Sequence, residues 1–398
     1  MSEDSVALED GFSLMRKASW QKPEVATMPV NECAGYMLAR DVHAVEQYPR
    51  FSISAVDGFC ISYESITRNT PDCGIEIGET IVAGHRISNE LDRSRALRIF
   101  TGAPIPAGFD TVIKLEDTIV EGSKVFFKLE PARGSNIRSA GEDIGKGELL
   151  GKAGDPVTPA RMVAMMSAGV HSVQVFKKLK VEVISTGDEL LSKDSGIENS
   201  TQPLLLNALN GPALEPVKGP VCPDKASAIS DAVKLALQRS DIIFITGGSG
   251  KGDKDLVNPV LGKMARQVFH GARIKPGRTI SLYEFQGKPL FSVSGIPFAA
   301  VSSAVLFMDR FLDILNLPLG FHRKVSGYLS RDVKMDSSHC ILAGAIYMIR
   351  NGLPVIHPVE SVSRSGMKNL LGMDSIVCFP PGTGFIPEGT CMEAILLW

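Results

Sequence analysis

The rhythm of the chain changes at about residue 178. KVEVIS reads as a strand, Ala226 to Gln238 as an amphipathic helix, SDIIFITGG as a buried strand ending in glycines, and FSVSGIPFAAVSSAV as strand, turn and helix. Strands that alternate with helices close into a parallel sheet with helices on its faces, and ligands of such sheets sit at the carboxyl ends of the strands. Any functional reading of the chain must therefore account for what lies just after each of these strands.

The rest of the 398 residues is of another kind. At roughly 150 residues per domain the length holds two to four folding units. From Phe12 to Lys17 the pattern is helical, and Pro23 to Asp41 reads as loop plus a short helix, an opening too small for its own core. Between 45 and 140, runs such as IEIGETIVAG, ALRIF, DTVIKL and KVFFKL alternate between glycine and proline turns, as in a small β domain. A later helix, capped by Thr158 with Pro159 at its first position, is placed to complete the opening segment. After the apolar helix that ends near Ile314, LNLPLGFH reads as a connector to a second β domain.

Charge and cysteine usage exclude several functions. Forty-two Lys and Arg oppose 44 Asp and Glu, a net charge of -2, so no global field holds the chain on nucleic acid or an anionic membrane. Seven cysteines without a CxxC suggest neither a disulfide framework nor a zinc knuckle, and buried thiols are expected. The acidic opening residues lack a charged-then-apolar leader, so a cytoplasmic protein with no membrane segment is expected.

Four glycine-containing segments carry an acid or hydroxyl: SAVDGF, TGAPIPAGFD, STGDEL and TGGSGKGDKD. The last two each follow an apolar strand and so meet at one sheet edge. Glycines let backbone N–H groups approach phosphate oxygens. Glu189, Asp253 and Asp255 then stand beside the bound phosphate, where hard oxygen ligands suit Mg²⁺. The loop is not a Walker A loop, because Gly250-Lys251-Gly252 lacks the following Ser or Thr. Around a Pro-Gly turn, Arg273, Lys275 and Arg278 form a compact cationic site, and Gly295 with Pro297 opens a helix whose positive end faces the same edge. Plain turn chemistry and solvated surface charge remain the alternatives for both features. No GxSxG elbow is present.

In order, SAVDGF, TGAPIPAG, GEDIGKGELL, TPARMVAMMSAGV, STGDEL, TGGSGKGDKD, IKPG and SGIP resemble the molybdopterin molybdenumtransferase family of the gephyrin E-domain type, from position 54 to position 297. The resemblance implies a multidomain α/β and β subunit. Its parts would be a composite helical domain (1–44 plus 141–177), an inserted β domain (45–140), an α/β molybdopterin-binding domain (178–314) and a C-terminal β barrel (315–398). It implies a homodimer whose site lies between the α/β domain of one subunit and the inserted domain of the other. The reaction implied is Mg²⁺-assisted insertion of molybdate into adenylylated molybdopterin with loss of AMP. A molybdopterin adenylyltransferase and recipient molybdoenzymes are the implied partners. Matched positions suggest Glu189 and Asp255 as metal ligands, and Asp57, Thr101, Asp143 and Lys275 as catalytic groups. Cofactor contacts would come from Gly247, Gly248, Ser249, Asp253, Lys275, Arg278, Gly295, Pro297 and Ser365.

The chain departs from the family pattern in two turns. Where the family shows a GGVSVGDYD-like loop this sequence has Ser249, Gly250, Lys251 and Lys254, and where it shows a PGNP-like turn this one has Ser294 and Ile296. Loss of Pro and Asn from the second turn is expected to loosen and depolarise it. The departures keep two alternatives beside the transferase: a non-catalytic carrier or insertion chaperone, and a dimeric scaffold.

Overall fold

The computed structural model describes residues 5–68, 73–84, 91–192, 194–248, 255–317, 324–335, 337–359 and 367–397. At its centre stands a six-stranded sheet in the order Leu214–Cys222, Leu179–Thr186, Ile242–Thr246, Lys288–Val293, Ser281–Phe285, Arg266–His270. The first four strands run parallel, Ser281–Phe285 runs against them, and Arg266–His270 pairs antiparallel to Ser281–Phe285. Alternation along the strands explains the layers. In Ile242–Thr246, Ile242 and Phe244 face one cluster while Ile243 and Ile245 face the other. The second face is covered by the helices Ala226–Arg239 and Val257–Met264. Thr201–Ala208, Pro297–Ile314 and the first helix, Leu8–Lys17, cover the other. With both faces buried, the strands read as near-continuous apolar runs, which is why this region was the most legible part of the sequence.

The helix Pro297–Ile314 is the hub of the larger core. Phe307 lies 5.3 Å from the Phe12 ring and 5.2 Å from Phe269, and is fully buried. Phe307→Ala should therefore cost about 3–5 kcal/mol and loosen the first helix with it. Urea unfolding checks the first effect, and amide exchange over residues 8–17 the second.

The opening segment differs from its expected form. Val25–Pro29, Ser172–Phe176 and Met37–Leu38 form a three-stranded antiparallel sheet, and only the 3-10 turn Val30–Glu32 is helical there. Pro23 and Pro29 punctuate this stretch like a loop, yet its alternate residues are half buried against Ser172–Phe176. The cap of the helix Pro159–Ser167 is as expected, with the Thr158 hydroxyl accepting from Arg161 N at 3.1 Å. Met165 of that helix joins Val30, Leu38 and Val173 in a separate small core.

Six strands between Gly58 and Phe127 build a second sheet, in the order Thr111–Lys114, Gly58–Ile61, Ala96–Ile99, Ile75–Ile81, Lys124–Phe127, Thr118–Glu121. At the other end of the chain, Cys340–Arg350 pairs with both Leu353–Pro358 and Ser375–Phe379. Lys324–Leu329 and Cys391–Leu396 complete the ring, which closes as a five-stranded barrel around Leu329, Ala345, Ile356, Val377 and Phe379. The short strand Ile274–Lys275 adds to this barrel beside Cys340–Ile341, tying it to the α/β unit.

Cys33, Cys60 and Cys222 are buried thiols, and burial pushes the Cys60 thiol up to about 12. Against expectation, Cys340 and Cys378 are joined as a disulfide between adjacent barrel strands. Among the described residues no helix is long and apolar enough to cross a membrane.

Candidate active site

Three adjacent parallel strands end together. Leu179–Thr186, Ile242–Thr246 and Lys288–Val293 deliver Gly187, Gly247 and Gly295 to one edge. Gly247 adopts φ 89°, and a Cβ there would lie 2.4 Å from the Thr186 carbonyl oxygen. A Cβ on Gly295 would lie 3.5 Å from Gly247 Cα, so the turns touch backbone to backbone. Gly248 is also left-handed, with φ 53°. Hydroxyls brace this edge from beneath: Thr186 Oγ1 donates to Thr246 O at 3.2 Å and Thr201 Oγ1 to Gly295 O at 2.6 Å. Pro297 opens the long helix from this edge, where its fixed φ suits the first helical position and the helix dipole favours an anion.

Two acids flank the glycines. Glu189 lies in the first turn of the helix Asp188–Leu191, exposed, with its carboxylate folded back over Gly187. Asp255 stands just before the helix Val257–Met264, and its Oδ1 is buried without a hydrogen-bond partner among the described residues. Desolvation pushes this carboxyl up to about 6. Tyr283 is pushed up to about 12, first by its own burial and then by the charge of Asp255. A buried carboxylate oxygen with no donor is short of positive charge, and a hard cation is the chemistry that supplies it. Among the described residues no three His, Cys, Asp or Glu side chains converge. Ser249 and Asp253 lie outside the described residues.

The other candidates form separate groups. Asp57 Oδ1 accepts from Thr101 N at 2.8 Å and from Thr101 Oγ1 at 2.7 Å, which hold its carboxyl below the usual range. Both residues are exposed. Asp143 accepts from the Arg138 guanidinium, which also holds Glu142 at 2.7 Å. No hydrogen bond or ion pair joins Asp57, Thr101 or Asp143 to the glycine edge of the same chain among the described residues. Arg273, Lys275 and Arg278 are exposed around the cis Lys275–Pro276 bond, where Gly277 approaches the helix Pro297–Ile314 too closely for a Cβ. Ser365 lies outside the described residues.

Sequence reading missed the braces. Thr201 is far in sequence from the turn it supports, and its only signal is a threonine opening an apolar helix. The expected loosening of the 294–297 turn is also offset, because the Ser294 hydroxyl accepts from Ile296 N at 3.1 Å. Serine thus supplies a bond where the family's proline supplies a ring. Ile296 itself projects into solvent, half exposed.

A doubly covered parallel sheet with a glycine-lined, acid-flanked carboxyl edge defines an α/β ligand-binding protein. Residues 6–169 match the family described as MoeA N-terminal region (domain I and II), and residues 182–314 match that described as probable molybdopterin binding domain. A molybdopterin molybdenumtransferase of Nostoc sp. is 26% identical over 373 residues, covering 89% of this chain and 85% of its own. That of Bacillus subtilis is 28% identical over 375 residues, covering 90% and 87%. A crystal structure of a molybdopterin biosynthesis MoeA protein from Pyrococcus horikosii shares the fold, with a TM-score of 0.79 and 24% identity over 99% of this chain and 100% of that one. The chain belongs to the molybdopterin molybdenumtransferase family.

Proposed function

We propose that the protein is a molybdopterin molybdotransferase of molybdenum cofactor biosynthesis, which inserts molybdate into adenylylated molybdopterin with release of AMP. The observation that carries this reading is Asp255: a buried carboxylate oxygen with no donor among the described residues, at the start of the helix that follows the glycine turn of Ile242–Thr246. Gly247, Gly248 and Gly295 admit the phosphate-bearing substrate close to the backbone, and Pro297 directs the helix dipole at it. Lys275 and Arg278, exposed cations with no described side-chain partner, would bind the anionic end or molybdate. Mg²⁺, held by Glu189 and Asp255, would stabilise the negative charge that develops as AMP leaves the phosphoanhydride. Ser249, Asp253 and Ser365 keep their assigned contacts within the same proposal. No protein nucleophile is required.

The proposal includes a homodimer in the cytoplasm, supplied by a molybdopterin adenylyltransferase and serving recipient molybdoenzymes. Domain boundaries at 44/45, 140/141, 177/178 and 314/315 belong to it too. Asp57, Thr101 and Asp143 would enter the site from the partner subunit, which fits their separation from the glycine edge within one chain. Mixing Asp57→Asn with Glu189→Ala tests this, because half the sites of a mixed dimer receive neither substitution. Activity should return toward a quarter of wild type, the statistical yield of intact sites after random exchange. No recovery after verified subunit exchange would place Asp57 outside the shared site.

A further inference from the structure

A cavity of ≈ 280 Å³ opens at the amino-terminal edge of the central sheet, the end opposite the glycine turns. Its floor is apolar and buried: Leu179 and Ile242 begin two parallel strands, and Phe311 and Leu315 come from the end of the long helix. The segment around residues 21–24 crosses over it, anchored where Gln21 N donates to Gly287 O at 2.9 Å.

The wall is cationic beyond what its acids neutralise. Five basic residues line it against two acids, Glu24 and Asp241. Glu24 is taken by Lys177 at 2.7 Å, and Arg239 is held by the buried Glu182. Asp241 Oδ2 accepts from the backbone N of Lys180 at 2.8 Å. That leaves Lys22 and Lys180 with no acidic partner among the described residues, and Lys178 resting over the Tyr36 ring at 5.4 Å. Lys178 and Lys180 flank Leu179 where the strand begins; alternation turns Lys180 to the sheet face opposite Leu179, and both lysines line the cavity where it opens across the end of the sheet. Like charges gathered around an apolar hollow repel one another, and an anion with an apolar body relieves that repulsion while covering the floor.

We infer that this cavity binds a small amphipathic organic anion, a sulfonate, phosphate or carboxylate on a flat or aliphatic body, at a site separate from the glycine edge. The test uses 1-anilinonaphthalene-8-sulfonate with the full-length protein. Trp20, whose ring meets Phe311 at 5.2 Å beside the cavity, is an internal reporter once Trp398 is replaced by Phe. The expected result is one saturable event that quenches Trp20, weakens with salt and is not competed by inorganic sulfate at matched ionic strength. Lys180→Glu and, independently, Lys22→Glu should each weaken it tenfold or more with unchanged far-UV circular dichroism. Glu189→Ala, at the opposite edge, should leave it unchanged. Equal affinity in wild type and both lysine variants would overturn the inference, as would no quenching or loss of binding in Glu189→Ala alone.

Discussion

Asp255→Asn should abolish AMP release, by on the order of 10²–10³-fold or more, and at the same time make the protein more stable above neutral pH. The carboxyl ionises near 3.8 when solvated but only near 6 in the fold, because burial penalises its charge. Between those values the unfolded chain has lost a proton that the folded one keeps, so stability falls as pH rises through the window and stays lowered above it. Asparagine removes that penalty. The gain at pH 8 should be on the order of 1–2 kcal/mol after solvent screening, and it should vanish below about pH 4, where both states are protonated. Mg²⁺ should raise the melting temperature of wild type and not of the variant. A variant that is less stable at pH 8 and still turns over would make Asp255 a structural acid.

Gly247→Ala should damage fold and function together. Its φ of 89° is left-handed, which costs an L-residue about 1–2 kcal/mol, and its Cβ would meet the Thr186 carbonyl oxygen at 2.4 Å. That oxygen belongs to a strand paired on both sides, so it cannot retreat without disturbing the sheet. We expect a total loss of about 2–4 kcal/mol and no measurable molybdopterin binding. Gly262→Ala is the control: it sits in the helix Val257–Met264, where a Cβ meets only Tyr283 at 4.0 Å, and alanine should be neutral or slightly stabilising there. Urea unfolding of the two variants separates them. Equal midpoints would mean that the 247 turn adapts freely.

What the sequence disclosed follows from how local each signal is. Strands such as Ile242–Thr246 declare themselves through an unbroken apolar run and a glycine stop, and the Thr158–Pro159 cap is written in two adjacent residues. Convergence of Gly187 and Gly247 was legible because parallel neighbours must end on the same side. The strand Val25–Pro29 was hidden, since its partner Ser172–Phe176 is distant in sequence and its flanking prolines mimic a loop. Pairing of Cys340 with Cys378 depends on barrel register, which spacing alone does not encode. The burial of Asp255 was equally invisible: the residues that precede it, Gly252-Asp253-Lys254, are those of a solvated loop, and Tyr283, 28 positions on, comes from the strand Ser281–Phe285.

The most direct test of the proposed activity is turnover. Purified protein should be incubated with adenylylated molybdopterin, molybdate and Mg²⁺, with AMP and cofactor competent to activate an apo-molybdoenzyme measured in the same samples. The account predicts AMP and active cofactor in equal amounts over several turnovers, at rates on the order of 1 per second, with both falling to background when molybdate or Mg²⁺ is withheld. Stoichiometric pterin binding without AMP release, in protein that is folded and loaded with metal, would contradict it and identify a carrier.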